Sequence, residues 1–292
     1  MTASRTATAV GQLPNFLVIG AIKAGTTSLY HYLRGHPHVF MPPVKELDYF
    51  AREPQSSHGI EWYRRQFAPA PAEAIAIGEA STLYTKHPRF PGVPERIAAQ
   101  IPDARLIYLV RDPIERIRSH YQHQVALGAE RAPLADAIFR DPIYLDTSRY
   151  AMQIERYLEV FSPDQLLVVT SERLRGDREV AVREILAFLG LDSTRLPTNL
   201  DREFYRSAER TTHSPFAWHL RRTLKHRFPA LKRAKEFVDA PLVRRRGRAG
   251  TNTSDAFIVT EEVRDRICRM LAQDVRHLRD HLGPAFDGWG IA

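Results

Sequence analysis

Cysteine is almost absent: Cys268 is the single one among 292 residues. No intrachain disulfide can form, and no cysteine-based metal site can be built. Cys268 sits in a helix-like pattern, where packing is its expected role. Long apolar runs are missing too. Phe16–Ile22 falls far short of the roughly 20 residues that cross a bilayer, so no transmembrane segment is expected. Met1 to Leu13 is small and polar and lacks the apolar stretch of a signal peptide, so a cytoplasmic location is expected. There is no internal repeat and no low-complexity linker. One domain over residues 1–292 is the expectation, with 1–13 flexible. Hydrophobic residues at 43% and charged residues at 26% exclude wholesale disorder.

Basic charge, in contrast, is in excess. The formal net charge is +8, and much of it lies in Arg221–Arg233 and Arg244–Arg248. Such a balance favours anionic partners without choosing among nucleotides, nucleic acids, acidic glycans and membrane surfaces. Solvated basic faces are the plainer account of both stretches. No recognised nucleic-acid motif is present, so nucleic acid is not an expected partner.

Phe16–Gly20 is a continuous apolar run and reads as a buried strand of a parallel sheet. A helix is expected from Thr26 to about Arg34, stopped by Gly35 and Pro37. Further strands are expected at Ala74–Gly78, Leu106–Val110 and Leu166–Thr170. Helices are expected over Pro94–Ile101, Ile114–Leu127, Asp177–Leu189 and Glu261–Leu282. Strands alternating with helices predict a three-layer α/β domain with a central, mostly parallel sheet flanked by helices. Residues 192–255 read as an irregular lid or acceptor-side wall.

In such sheets ligands bind beyond the C-terminal strand ends, and two polar clusters fall there. The first is Gly20-Ala21-Ile22-Lys23-Ala24-Gly25-Thr26-Thr27-Ser28. Its small residues let backbone N–H groups approach a phosphate, and the following helix directs its positive end to the same place. Lys23 adds a point charge, and Thr26, Thr27 and Ser28 add hydroxyls. A simple helix-starting turn is the alternative. The nucleotide-triphosphatase loop carries its lysine directly after the last glycine; here Thr26 follows Gly25, and the lysine comes two residues before it. The second cluster follows the strand ending at Val110. Arg111, by a charge-assisted fork, and Ser119, by its hydroxyl, can hold a second phosphate. A structural ion pair is the alternative for Arg111.

From the residues alone, Glu46 reads as a partner of Lys45 or another surface cation. His36 and His38 read as a plain loop, and His120 and His123 as helix surface, with a runner-up role as base. Tyr49-Phe50 and Trp62-Tyr63 read first as core. No metal cluster is apparent.

Taken together, four segments resemble the sulfotransferase superfamily, specifically bacterial enzymes of the heparan-sulfate sulfotransferase type. They are Phe16–Leu29, Lys45–Phe50, Leu106–Tyr121, and Ser171–Leu174 with Ala187–Leu191. A C-terminal helix ending near Trp289 adds to them. The resemblance implies a P-loop-like α/β fold and sulfuryl transfer from 3′-phosphoadenosine 5′-phosphosulfate to an acceptor hydroxyl of a glycan, lipid or small metabolite, by in-line displacement without a metal. It implies that Lys23, Ala24, Gly25, Thr26, Thr27 and Ser28 hold the 5′ phosphosulfate. Arg111 and Ser119 would hold the 3′ phosphate, and Glu46 would be the catalytic base. Burial is expected to raise the Glu46 pKa, with Asp48 orienting the acceptor or tuning Glu46. Arg246–Arg248 to Thr251 loosely resembles a basic glycine loop closing over the donor, which would add Arg248 to the donor site. The chain departs from the pattern at Asp48, where histidine is common, and at Glu79-Ala80-Ser81, where glutamate-lysine-threonine is common. The alternatives are a P-loop nucleotide kinase or a basic polyanion-binding module.

Overall fold

The computed structural model describes residues 11–51, 59–202, 204 and 257–292. Arg248, both basic stretches and most of the expected lid lie outside the described residues.

Five strands form one parallel sheet in the order β2-β3-β1-β4-β5. They are β1 Phe16–Gly20, β2 Val39–Phe40, β3 Ala76–Ala80, β4 Arg105–Val110 and β5 Leu166–Thr170. The helices are α1 Thr26–Arg34, α2 Ile60–Phe67, α3 Val93–Gln100, α4 Pro113–Ala126, α5 Leu134–Arg140, α6 Ile143–Asp146, α7 Tyr150–Leu158, α8 Ser171–Gly176, α9 Arg178–Phe188 and, last, α10 Glu261–Leu282. The protein is therefore an α/β domain with a central parallel sheet flanked by helices.

The central strands are apolar throughout because both their faces are covered. Phe16, Leu17, Val18 and Ile19 of β1, and Leu106 to Val110 of β4, are fully buried. They anchor a large core that also takes in Leu29 and Leu33 of α1, Ile97 of α3, Ile154 of α7 and Ile185 of α9. A second cluster joins Ile114 and Ile117 of α4 to Ile138 of α5 and to Ile267, Leu271 and Val275 of α10. Cys268 lies partly buried against it, in keeping with a packing role.

Two features place the functional edge. The first is topological. Strand β1 pairs with β3 on one side and β4 on the other, so the chain leaves it in both directions and opens a crevice at its C-terminal end. The second is a register shift between Val18 and Gly20 in the β1–β4 pairing. Such a bulge bends the strand end, and the Ile19 carbonyl there accepts the Thr85 hydroxyl at 3.2 Å. A side chain at Gly20 would place Cβ 1.9 Å from the Thr85 Oγ1 atom. Only glycine permits that crossing.

Strand β3 extends two residues beyond the expected end at Gly78 and includes Glu79. The expectation stopped there because a carboxylate in a buried strand needs partners that no linear pattern reveals. His120 also departs from expectation. It is fully buried rather than on the helix surface, because α5 and α6 cover α4 on the side away from the sheet.

Candidate functional site

The C-terminal ends of β1, β3, β4 and β5, with the segment after β2, bring most of the predicted residues to one edge of the sheet. Residues 20–28 wrap from β1 into α1. Lys23 takes a left-handed backbone at φ 71°, and Gly25 one at φ 95°. A left-handed non-glycine residue is uncommon and tends to mark ligand sites. Helix α1 has no side-chain cap and no acidic residue in its first turn. Its first N–H groups and positive end are thus left for an anion. The Ser28 hydroxyl donates to the Phe204 carbonyl at 2.8 Å, so in this structure its proton is committed away from the loop. Thr26 accepts from Lys45 at 3.4 Å.

Arg111 leaves the end of β4 and returns to this loop. Its Nη1 donates to the Lys23 carbonyl at 3.1 Å, and its Nη2 pairs with Glu115 at 3.3 Å. Asp112 caps α4 by accepting from the Ile114 amide at 2.7 Å and the Glu115 amide at 3.2 Å. Pro113 supplies the first-turn residue that needs no N–H partner. One helical stretch on, the Ser119 hydroxyl is buried without a hydrogen-bond partner, and so is the Arg111 Nε. Burial and the neighbouring Arg175 hold the Arg111 pKa below the usual guanidinium value. Two orphaned buried donors are costly unless a ligand completes them. The structure also contains the ion pair that the sequence left open for Arg111.

Lys45–Phe50 forms the opposite wall. Glu46 and Asp48 both adopt left-handed backbone, at φ 59° and 53°, each at a cost of about 1–3 kcal/mol. The Glu46 carboxylate accepts from Lys45 at 2.8 Å and from the Thr82 hydroxyl at 3.2 Å. The surface-pair reading is thus realised in the structure. The Glu46 side chain is 36% exposed, so the deep burial expected for it is not found. The fold brings it to the crevice but leaves it wet. The Asp48 amide donates to Ser81 at 2.9 Å. Phe50 and Tyr63 are core, as expected, with Tyr49 stacked on Tyr63 at 4.6 Å.

Lys86 is a residue that the sequence reading missed. It is 7% exposed at the end of the Thr82–Thr85 turn. Burial lowers its pKa to about 8, with Glu46 and Asp48 pulling the other way. Its position a few residues past a strand end was the only linear signal. His120 beneath it is held neutral, with a pKa well below the usual value, by burial and then by Arg116, Lys86, His123 and Lys23. Such a ring is a poor proton acceptor, which argues against it as the base. The fully buried Arg116 donates to Ser148 at 2.7 Å and to the Tyr144 carbonyl. His36 is buried and His38 donates its amide to it at 3.2 Å. Among the described residues no group of three or more metal-ligating side chains converges.

Lys86 gives a test of sign. Its folded pKa lies below the 10.5 of the unfolded chain, so the unfolded state binds more protons between these values. The destabilisation is therefore fully present below pH 8 and fades as pH rises towards 10.5. Lys86→Met is expected to be more stable than the parent at pH 7 in urea unfolding, with the gap closing by pH 10. A gap that is constant with pH would mean that Lys86 is not desolvated.

Residues 13–227 match the Sulfotransferase domain family, and the chain belongs to that family. It is 34% identical over 201 residues to the bifunctional heparan sulfate N-deacetylase/N-sulfotransferase 3 of Homo sapiens, covering 62% of this chain and 22% of that protein. It is 34% identical over 206 residues to heparan sulfate glucosamine 3-O-sulfotransferase 3A1 of Mus musculus, covering 66% and 49%. It spans about a fifth of the length of the first of these relatives and about half of the second. In fold it is similar to a sulfotransferase from Alicyclobacillus acidocaldarius, with a TM-score of 0.66, 24% identity, and coverage of 96% of this chain and 99% of that one. Among the described residues no helix is long and apolar enough to cross a membrane.

Proposed function

We propose that this protein transfers a sulfuryl group from 3′-phosphoadenosine 5′-phosphosulfate to an acceptor hydroxyl. The observation that supports it best is the placement of Arg111: its Nη1 donates to the Lys23 carbonyl of the 20–28 loop at 3.1 Å, while its Nε and the Ser119 hydroxyl are two buried donors left without a partner. A nucleotide phosphorylated at both 5′ and 3′ positions fits the loop and these donors; a triphosphate chain would not need the donors. In this reading Lys23, Ala24, Gly25, Thr26, Thr27 and the α1 N-terminus hold the 5′ end, and Arg111 and Ser119 the 3′ phosphate. Ser28 contributes its backbone N–H rather than its hydroxyl proton.

Bound, the donor supplies an activated sulfuryl group on a phosphate leaving group. Lys23 neutralises negative charge as it develops at that phosphate. Glu46 accepts the acceptor's hydroxyl proton on its carboxylate, and Thr82 and Lys45 fix that carboxylate's direction. Asp48 orients the acceptor. A carboxylate at the crevice, rather than the neutral His120 below it, is the group able to take the proton. The acceptor is a hydroxyl-bearing glycan, lipid or small metabolite, and the named relatives act on heparan sulfate, which puts glycans first in an acceptor screen. The protein is cytoplasmic in this reading, without nucleic acid as a partner, and the reaction uses no metal.

Calorimetric titration with 3′-phosphoadenosine 5′-phosphate, in parallel with ATP–magnesium, tests the donor site. Tighter binding of the 3′-phosphorylated nucleotide in the absence of metal is expected. Preference for ATP–magnesium would replace this reading with a kinase.

A further inference from the structure

Glu79 is a carboxylate in the middle of the hydrophobic core. It is 2% exposed on β3, and burial raises its pKa. Its carboxylate accepts from neutral donors: the hydroxyls of Tyr84 at 2.6 Å, Tyr63 at 2.9 Å and Ser81 at 2.7 Å. A residue needed only to fill this space would be apolar, since a buried charge without a cation is costly.

The partners of those donors show what the carboxylate holds. The Asp48 amide donates to Ser81 at 2.9 Å, and the Phe50 amide to the Tyr84 hydroxyl at 3.4 Å. Two amides of the 47–50 segment thus reach Glu79 through one hydroxyl each. Leu47 sits between the two left-handed residues, Glu46 and Asp48. A backbone alternating in this way persists only where its surroundings over-determine it. Glu79 also lies in register with Leu17 on β1, so the tether is fixed to the strand that launches the 20–28 loop.

We propose that Glu79 is the positioning residue of the site: its buried carboxylate locks the Glu46–Asp48 segment in its left-handed form and so aims Glu46 into the crevice. The functional consequence rests on Glu46 being the base; the locking itself does not. Glutamine at this position keeps the shape but turns an N–H₂ towards a donor, so at least one of the three bonds is lost.

Hydrogen exchange tests the lock without any acceptor. In Glu79→Gln the amides of Asp48 and Phe50 are expected to exchange at least about tenfold faster. Affinity for 3′-phosphoadenosine 5′-phosphate, measured by calorimetry, stays within about twofold, since the donor residues lie on other elements. Unchanged protection of the two amides overturns the proposal. Should Glu79→Gln fail to fold, Ser81→Ala removes the link to Asp48 together with one of the hydroxyls on Glu79, and faster exchange at the Asp48 amide is expected; parent-like protection there overturns the proposal equally. The activity arm uses desulfated heparan oligosaccharide as the acceptor probe and a double-mutant cycle. Glu79→Gln is expected to lower kcat about tenfold or more, but to add little in a Glu46→Gln background, because both act through one carboxylate. Losses that multiply overturn the positioning role. Full activity of Glu46→Gln alone would instead remove Glu46 as the base, leaving the lock to be judged by exchange.

Discussion

Glu46→Gln is expected to lower kcat by about 10²–10⁴-fold, the usual contribution of a positioned general base. Affinity for 3′-phosphoadenosine 5′-phosphate should stay within about twofold, because glutamine keeps the shape of the side chain and the link from Glu46 to Thr26 of the donor loop runs through Lys45. Glutamine is nearly isosteric and its carbonyl can still accept from Lys45 and Thr82, so the fold of the 45–50 segment is retained. What disappears is the ability to carry away a proton. Initial-rate kinetics, with calorimetry on the same preparations, separate the two effects. A variant with parent kcat would move the base elsewhere. Asp48 would be tested next, since burial, and then the neighbouring Arg116 and Lys86, disfavour the protonated form of His120. A variant that lost nucleotide binding as well would mean that the segment had collapsed, which unchanged hydrogen exchange at Asp48 and Phe50 would exclude.

The parts of this protein that were legible in its sequence share a physical property: each is specified by neighbours in the chain. Strands β1 and β4 are continuous apolar runs because central parallel strands are covered on both sides; β5, a partly buried edge strand, is an apolar run as well, and α1, α4, α9 and α10 show their stops or their apolar periodicity. The 20–28 loop and the Arg111 cluster are likewise local, since a glycine turn, a helix start and a strand-end arginine lie within a few residues of each other. What the chain pattern hid depends on distant partners. The strand character of Glu79 rests on Tyr63 and Tyr84, 16 and 5 residues away, and burial of His120 rests on α5 and α6 folding over α4. Lys86 reads as an ordinary surface lysine until the turn before it is seen to pack against β1. Strand β2, with two residues, is too short to leave any periodicity. The exposure of Glu46 is a related case: its sequence context gives its role by resemblance, but not its solvent contact, which follows from the outward path of the left-handed segment.

The second large effect is expected at Ser119 and Arg111, where two substitutions should weaken nucleotide binding and the first should also raise stability. Ser119 is buried in helix α4 with its hydroxyl unpartnered, and an unsatisfied buried polar group costs about 1–3 kcal/mol. Ser119→Ala removes that group, so the nucleotide-free protein should become more stable by up to about that amount. A hydrogen bond to a charged phosphate contributes about 1.5–3 kcal/mol, so the same variant should bind 3′-phosphoadenosine 5′-phosphate roughly ten- to a hundredfold more weakly. Arg111→Ala should lose more. Truncating one partner of a buried, hydrogen-bonded charge pair costs about 2–5 kcal/mol, which is at least about thirtyfold in affinity. It also releases the Lys23 carbonyl that Arg111 holds at 3.1 Å. Glu115 keeps Arg118 as a partner at 2.6 Å, so helix α4 does not acquire an uncompensated carboxylate. Thermal unfolding with and without nucleotide, next to calorimetry, reads both signs. Adenosine 5′-phosphate, which lacks the 3′ group, sharpens the test: the parent should bind it more weakly than the 3′-phosphorylated nucleotide, and both variants should bind it almost as the parent does if Arg111 and Ser119 face the 3′ phosphate. If instead the variants weaken both nucleotides equally, Arg111 serves the 20–28 loop through Lys23, and the orphaned Ser119 hydroxyl is not the 3′ phosphate site.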